Sequence, residues 1–377
     1  MKKTCFTDIC TLIMGQSPDS SSYNTNYEGL PFYQGNSDFG ELHPVPRVWC
    51  SEPKKIAQEN DILISVRAPI GDLNIANKKC CIGRGLAAIR IINSDNVDLT
   101  YLYHFFESKR TYLQEKGTGS TFKAINKDSL INFVIPLPSI KEQESISQEL
   151  SALHLLIKGK KTQLFSLDEL VKSRFIEMFG DPILNEKNWE IQSISNVCEK
   201  ILGGGTPSKK HPEFYIGSIP WVTPKDMKTS TICDSIDHIN EMAIENSTTN
   251  LISQSSVLMV IRSGILKHTL PVAINSTPVT INQDMKAFIL GDKILPEFLL
   301  YCFKAMESDI LGKVRCVTAD NIDFKDFLNR QIIIPPIELQ NEFAEFVKLI
   351  DKSKFIVQQQ IKDLQELLDS KMDEYFR

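Results

Sequence analysis

The sequence predicts an α+β fold in which two globular mixed α/β domains are joined by two long helices. These helices are expected to form an antiparallel coiled coil with internal pseudo-two-fold symmetry. One supporting observation is a repeat: residues 170–179 resemble residues 367–376, at a spacing of 197 residues. Another is that short apolar runs punctuated by Gly, Pro and Asn alternate with long stretches of helical period. A duplicated unit in one chain is the covalent counterpart of a two-fold dimer.

The repeat divides the chain into four segments. Residues 1–138 and 181–336 are predicted to be mixed domains, because they contain β-rich runs such as Ile62-Leu63-Ile64 and Val257-Leu258-Met259. Residues 139–180 and 337–377 are predicted to be helices. Pro-rich leads precede both helices, and Gln143 and Gln340 follow the leads 197 residues apart.

The two helical segments each have a heptad seam of apolar residues. The predicted seam positions are Ile146, Leu150, Leu153, Ile157, Leu164, Leu167 and Val171 in the first helix, and Phe343, Val347, Ile350, Val357, Ile361, Leu364 and Leu368 in the second. Lys160 and Arg174 interrupt the first seam, and Lys354 and Lys371 the second. Two equal seams in one chain most simply bury each other. The alternative is that each helix packs only on its own domain.

Composition excludes several classes of protein. The apolar runs are too short to span a bilayer, and no signal peptide is expected at the N-terminus. The nine cysteines are scattered and contain no C-x-x-C pair, which favours the reduced cytoplasm. The net charge of −5 argues against coating nucleic acid by bulk electrostatics, so a DNA contact would need local basic patches or basic partners.

No catalytic residue, cofactor site or metal site is predicted. The phosphate-loop, H-E-x-x-H and G-x-S-x-G patterns are absent, as is the Asn-Pro-Pro or Asp-Pro-Pro pattern of adenine methyltransferases. Gly203-Gly204-Gly205 is followed by Thr206-Pro207, which favours a flexible loop over a nucleotide site. The six histidines do not cluster in the sequence and are interpreted as surface or core residues.

Polar residues in the loops of the mixed domains are suited to reading DNA. Arg and Lys bond guanine edges or phosphates, and Gln bonds adenine edges. The candidates are Gln34, Arg67, Arg84, Lys209, Lys210, Lys225, Arg262, Lys267 and Gln283. Arg67 and Arg262 each follow an apolar strand at matching places in the repeat. The alternative interpretation is that these residues form a solvated surface.

The chain resembles the specificity subunits of type I restriction–modification enzymes over essentially its whole length. The stretches that carry the resemblance are Gly203-Gly204-Gly205-Thr206-Pro207-Ser208 with Ile219-Pro220-Trp221-Val222-Thr223-Pro224-Lys225-Asp226-Met227, Pro31-Phe32-Tyr33-Gln34-Gly35, Gly71-Asp72-Leu73-Asn74-Ile75-Ala76, Cys81-Ile82-Gly83-Arg84-Gly85-Leu86-Ala87-Ala88-Ile89 and Asn282-Gln283-Asp284-Met285-Lys286-Ala287. The order domain, helix, domain, helix is the most specific part of the resemblance.

The resemblance implies that 1–138 and 181–336 are target-recognition domains that each bind one half of a bipartite, asymmetric DNA sequence. Residues 139–180 and 337–377 would be the conserved spacer helices. The chain itself would be non-catalytic and carry no cofactor. It would dock two modification (methyltransferase) subunits, which bring S-adenosylmethionine, and restriction subunits, which bring ATP and Mg²⁺. A helix of about 35 residues spans about 50 Å, which corresponds to roughly 15 bp at 3.4 Å per step. Each domain would read a few of these base pairs, so the unread spacer should be roughly 5–8 bp.

Two other classes of function remain open at this stage. One is the recognition part of a stand-alone DNA methyltransferase, against which the missing methyltransferase pattern argues. The other is a coiled-coil scaffold that binds no DNA. The recognised bases are not encoded in a pattern that the sequence alone reveals.

Overall fold

The order of elements in the first half of the chain recurs in the second, and each copy ends in a helix of 40 residues. The computed structural model describes residues 3–118, 123–312, 315–316 and 320–377, with 315–316 described by their backbone alone. The chain forms two compact units. Unit 1 is Met1–Thr162 with Gln358–Arg377, and unit 2 is Gln163–Val357. In the described ranges, none of the helices has an apolar stretch long enough for a bilayer crossing.

Unit 1 contains two main sheets and a short one. Its strands are β1 (Lys3–Cys5), β2 (Cys10–Met14), β3 (Tyr23–Asn24), β4 (Leu30–Tyr33), β5 (Val48–Cys50), β6 (Ile56–Ala57), β7 (Ile62–Ser65), β8 (Leu73–Ile75), β9 (Cys80–Ile82), β10 (Leu86–Ile91) and β11 (Val134–Pro136). Its helices are α1 (Phe6–Ile9), α2 (Leu99–Ser108), α3 (Arg110–Lys116), α4 (Asp128–Ile131) and the first part of α5 (Ile140–Phe179). The sheet orders are β2-β10-β7-β8, β3-β5-β4-β9-β6 and β1-β11.

Unit 2 repeats this plan. Its strands are β12 (Glu190–Ser193), β13 (Cys198–Gly203), β14 (Ile219–Val222), β15 (Thr231–Ile232), β16 (His238–Ile239), β17 (Leu251–Ile252), β18 (Val257–Val260), β19 (Val272–Asn275), β20 (Val279–Ile281), β21 (Met285–Leu290), β22 (Arg315–Cys316), β23 (Asp320–Asn321) and β24 (Gln331–Ile334). Its helices are α6 (Ile194–Val197), α7 (Glu241–Glu245), α8 (Pro296–Ala305), α9 (Glu307–Leu311), α10 (Phe324–Leu328) and part of α11 (Ile337–Phe376). The sheet orders are β13-β21-β18-β19-β15, β16-β14-β20-β17, β12-β24 and β22-β23.

The central strand of each unit is buried on both faces. In β7, Ile62 and Ile64 pack in a cluster with α2 and the long helices, whereas Leu63 packs in a second cluster with Tyr33 and Ile82. In unit 2, β18 divides in the same way between two clusters. Because side chains alternate across a strand, a continuous apolar run packs alternate side chains into two hydrophobic cores, one on each face of the sheet. This explains why these runs do not alternate with polar residues.

The ends of α5 follow from local sequence. Ser139 precedes the helix, and the Glu142 carboxylate accepts hydrogen bonds from the Ser139 backbone N–H at 2.9 Å and from its hydroxyl at 2.7 Å, which is the half of a capping box that the acidic residue supplies. At the other end, Gly180 takes a left-handed conformation with φ of 77° and donates to the Ile176 carbonyl. Pro138 and Gly180 therefore bracket the helix.

The two long helices run antiparallel within each unit. In unit 1, Glu149 near the start of α5 bonds Tyr375 at the end of α11, at 2.6 Å. In unit 2, Asp168 pairs with Lys354 at 2.6 Å, and Arg174, later on α5, pairs with Glu342, earlier on α11, at 2.9 Å. The α+β fold with two mixed units and two paired antiparallel helices is confirmed, and the helices also pack on the sheets' cores.

The predicted seam positions differ in burial along the helices. Leu164, Leu167, Ile361 and Leu364 are partly exposed, whereas the other predicted seam residues are buried. At the end of each helix the buried face moves by one position, to Phe175 and Phe179 in α5 and to Met372 and Phe376 in α11. There the side chains pack on aromatic residues of their own unit: Phe179 contacts Phe298, and Phe376 contacts Tyr101. The helix ends thus dock on the domains rather than only on each other.

Candidate nucleic-acid interface

Each unit has a pair of parallel strands at the same place in its second sheet. In unit 1, β4 and β9 are parallel, with Tyr33 opposite Ile82. In unit 2, β14 and β20 are parallel, with Val222 opposite Ile281. The carboxyl ends of parallel strands meet at one edge of a sheet, so the loops that follow them lie together.

In unit 1 this edge carries three of the predicted DNA-binding residues. The Gly85 N–H donates to the Gln34 carbonyl at 3.2 Å, and the Val66 N–H donates to the Gly85 carbonyl at 2.9 Å. These bonds bring the segments of Gln34, Arg67 and Arg84 to one turn. All three side chains are exposed.

Unit 2 builds the equivalent turn from different residues. The Asn282 N–H donates to the Val222 carbonyl at 3.0 Å, and the Ile261 and Arg262 N–H groups donate to the Asp284 carbonyl at 2.8 and 3.2 Å. Gln283 takes the place that Arg84 has in unit 1. Lys225 lies exposed in the turn after β14, where the Asp226 carboxylate accepts from the Thr223 N–H at 2.8 Å.

The two turns differ in electrostatics. The Arg262 guanidinium donates to the Asp284 carboxylate at 2.6 Å, and Asn282 donates to the same carboxylate at 3.2 Å. Unit 1 has Gly85 and Gly83 in place of Asp284 and Asn282. Among the described residues, neither Arg67 nor Arg84 has a side-chain ion pair. The arginines of the unit 1 turn are therefore left without an ion pair in the described part of the chain, whereas Arg262 of unit 2 is paired with Asp284.

A glycine packs closely against the backbone of each turn. A Cβ on Gly15 would lie 2.1 Å from the Gly83 carbonyl oxygen, and a Cβ on Gly204 would lie 2.0 Å from the Ile281 carbonyl oxygen. Only glycine allows backbones to approach this closely. Of the predicted loop Gly203-Gly204-Gly205, Gly203 instead ends β13, whereas Gly204 and Gly205 lie in the loop that follows and Gly204 packs against the end of β20.

The remaining predicted residues are not brought into these turns. Lys209 and Lys210 are exposed in the loop between β13 and β14, and their ammonium groups have no ion pair within the described ranges. Lys267 ends a 3-10 turn, Gly264–Lys267, and its ammonium lies 3.8 Å from the Asp320 carboxylate. These lysines are suited to phosphate contact rather than to base readout.

Sequence reasoning missed Thr206 and Asp284 as part of the site in unit 2. The Thr206 hydroxyl hydrogen-bonds the Gln283 side chain, and in unit 1 the Arg84 N–H donates to the Ser17 hydroxyl at 3.3 Å at the equivalent place. The signal that could have found them is the repeat itself. Within the mixed domains Arg84 aligns with Gln283 at 199 residues, whereas the long helices align at 197.

Two features bear on chemistry. Burial raises the pKa of the Cys80 thiol to about 12 and that of Cys81 to about 11, so neither thiol on β9 is a nucleophile at neutral pH.

Away from the turns, two of the six histidines lie together in the fold although they are far apart in the sequence. His104 and His154 both lie 3.0 Å from the Glu107 carboxylate. These three are the described residues that could hold a metal ion.

The family profile described as "Type I restriction modification DNA specificity domain" matches residues 1–165 and 186–366. The EcoR124I/EcoR124II specificity subunit of Escherichia coli, a type I restriction enzyme subunit, is 31% identical over 71% of the chain and 66% of that protein. The proposed MjaX specificity subunit of Methanocaldococcus jannaschii is 44% identical over 43% of the chain and 38% of that protein. These matches thus span less than two thirds of each relative.

A solved structure extends the likeness to the whole fold. The crystal structure of the S subunit of a type I restriction–modification system from M. genitalium superposes with a TM-score of 0.56, at 14% identity. The superposition covers 100% of this chain and 96% of that one. At this identity the likeness concerns the fold alone.

Proposed function

Because the chain belongs to the family of type I restriction–modification DNA specificity domains, we propose that it reads a bipartite, asymmetric DNA sequence through the two turns described above. One observation supports this more than any other. Arg84 and Gln283 occupy the same place at the end of equivalent parallel strands, exposed in both units, yet differ in chemistry.

The residue types give the two turns different preferences. An arginine can donate two hydrogen bonds to the O6 and N7 of guanine, whereas a glutamine pairs with the N6 and N7 of adenine. Arg84 lies between two glycines, and among the described residues its guanidinium has no ion pair. Gln283 lies beside an arginine already held by Asp284. Two halves of different sequence follow, and hence an asymmetric target.

The chain is proposed to contribute recognition rather than catalysis. S-adenosylmethionine, ATP and Mg²⁺ would be brought by partner subunits, consistent with the absence of phosphate-loop and methyltransferase patterns in the sequence. The net charge of −5 supports sharing the phosphate contacts with partners. The unread spacer would be roughly 5–8 bp, as expected from the helix length.

Exposed apolar side chains on the long helices support docking of those partners. Leu349, Phe355 and Ile356 line a shallow cavity of about 920 Å³ on α11, with Phe355 69% exposed. Large exposed apolar groups that cluster on one face mark protein interaction sites. A modification subunit is the proposed occupant.

DNA binding by the chain in complex with its modification subunit tests the proposal. Substituting Arg84→Ala or Gln283→Ala should each cost about 1–3 kcal/mol of discrimination at the bases that turn reads. Lys362→Ala, on the exposed face of α11, is the matched control and should leave binding unchanged. Equal binding to all sequences by the wild-type complex would contradict the proposal.

The two other classes of function have their own readouts. Methyl transfer from labelled S-adenosylmethionine by the purified chain alone would favour a stand-alone methyltransferase. Absence of salt-dependent DNA binding by the complex would favour a scaffold without a nucleic-acid role.

A further inference from the structure

Two histidines and a glutamate meet where α2 packs on α5 in unit 1. His104 and Glu107 lie three residues apart on α2, so they share one face of that helix. His154 comes from α5. The His104 Nδ1 and the His154 Nε2 each lie 3.0 Å from the same oxygen, Oε2 of Glu107.

The donor set suits a transition metal. The three ligand atoms lie within 4.8 Å of one another. In a tetrahedral zinc site with bonds of about 2.0–2.1 Å the ligand atoms are roughly 3.3 Å apart. The two histidine–glutamate distances are therefore already close to what an ion requires. Two imidazoles and one carboxylate leave a fourth position for water.

The surroundings supply what metal sites usually have around their ligands. The other ring nitrogen of His104, Nε2, lies 3.1 Å from the Ser151 hydroxyl, which fixes the ring orientation. The Arg110 guanidinium, at the start of α3, is held by Asp72 rather than by Glu107. Among the described residues, the Glu107 carboxylate is paired with the two imidazoles.

Access to the site is open on one side. His104 is 4% exposed and anchors the cluster, whereas the side chains of Glu107 and His154 are 31% and 36% exposed. A cavity of about 270 Å³ borders the Glu107 carboxylate. Water and a hydrated ion can reach the carboxylate through this cavity.

The repeat shows that the fold does not itself require this cluster. The second copy has Tyr301, Lys304 and Asp351 at the positions equivalent to His104, Glu107 and His154. There Lys304 donates to the Ser230 hydroxyl at 2.7 Å, and its ammonium lies 5.0 Å from the centre of the Tyr301 ring. The same helix junction thus contains a lysine in unit 2 and two histidines with a glutamate in unit 1.

We propose that His104, Glu107 and His154 bind one divalent transition-metal ion, Zn²⁺ or a similar borderline cation, which clamps α2 to α5 in unit 1. The inference does not depend on the proposed DNA function. Such an ion would fix α2 to the long helix α5, because two ligands come from α2 and one from α5.

Co²⁺ binding to the full-length chain tests the proposal, with visible absorption as the spectroscopic readout and isothermal titration with Zn²⁺ for affinity. The expected result is one ion per chain with a tetrahedral Co²⁺ spectrum. Zn²⁺ should raise the melting temperature in a concentration-dependent way that a chelator reverses. Glu107→Gln and His154→Gln should each weaken Zn²⁺ binding by at least about tenfold, since loss even of an outer partner does so.

The control is His238→Gln, which removes a partly exposed histidine that lies 2.7 Å from Asp234 in unit 2. It should leave Co²⁺ and Zn²⁺ binding unchanged. His154→Gln is the variant expected to fold normally, because its side chain is the most exposed of the three, and urea unfolding of the metal-free proteins checks this. A chain that binds no Co²⁺, or binding that survives both ligand substitutions, would show that the three residues are only a hydrogen-bonded cluster.

Discussion

Gln143 and Gln340 show how single residues tie the long helices to their units. Both are fully buried, and each makes three hydrogen bonds to backbone groups. Gln143 accepts from the Asp98 N–H and donates to the Asn96 and Pro138 carbonyls, and Gln340 accepts from Leu295 and donates to Lys293 and Pro335. Each glutamine thus joins the start of a long helix to the start of a shorter helix of its own unit, α2 for Gln143 and α8 for Gln340.

Substituting either glutamine by leucine should destabilise its unit by at least about 2 kcal/mol, because buried backbone groups lose their partners. The free energy of unfolding in urea measures this effect. Gln359→Leu, at an exposed position of α11, should change it by no more than about 0.5 kcal/mol. Equal, small effects at all three positions would contradict the bridging role.

At the scale of elements, the long helices combine a hydrophobic seam with charged interruptions. Lys354, which interrupts the predicted seam, is only 11% exposed and pairs with Asp168 at 2.6 Å and Asp351 at 3.6 Å. A polar residue in such a seam fixes the register of two helices at some cost in stability. Ion pairs as well as apolar contacts therefore join the two long helices along the seam.

The seam positions should differ in their tolerance of charge. Leu150 is fully buried, so Leu150→Asp should cost more than about 4 kcal/mol by burying an unpaired carboxylate. Leu164 is partly exposed, so Leu164→Asp should cost much less. Thermal unfolding of the two variants compares them, and equal losses would mean that the seam is uniformly buried.

A half-buried lysine beside this seam, Lys304, should make stability depend on alkaline pH. Burial, followed by repulsion from Lys354, lowers the pKa of Lys304 from 10.5 to about 8. The unfolded chain therefore holds this proton where the folded protein has lost it, so the stability contribution of Lys304 rises with pH between about 8 and 10.5.

Lys304→Met should remove this rise, which amounts to at most about 3 kcal/mol. Urea unfolding of both proteins between pH 7 and pH 10 measures the difference. Parallel pH profiles would show that Lys304 titrates as an ordinary exposed lysine.

The sequence could predict the repeat, the two long helices and the mixed units, because these follow from the spacing and periodicity of apolar residues. It could not predict the shift of the buried face to Phe175 and Phe179, since this depends on the aromatic residues against which the helix ends. The three-residue cluster of unit 1 was also hidden, because His154 lies far along the chain from His104 and Glu107. Arg67 and Arg262 match in sequence, but only the fold shows that Asp284 engages one of them.

At the scale of the whole molecule, the proposed recognition and docking surfaces lie on different elements of the repeat. The turns at the ends of β9 and β20 differ between units, whereas buried positions of the long helices match at a spacing of 197 residues, as at Leu150 and Val347. Phe355→Asp should therefore abolish co-purification with a modification subunit without changing the melting temperature, because Phe355 is exposed on α11. Ile236→Asp, at an exposed isoleucine of unit 2, is the control and should retain the partner.

Methylome sequencing of a host that carries the complete system tests the central claim most directly. The account predicts two short specified blocks of different sequence separated by an unspecified spacer of roughly 5–8 bp. Arg84→Ala should relax the specificity of one block and Gln283→Ala that of the other. A single contiguous palindrome, or relaxation of both blocks by one substitution, would contradict it.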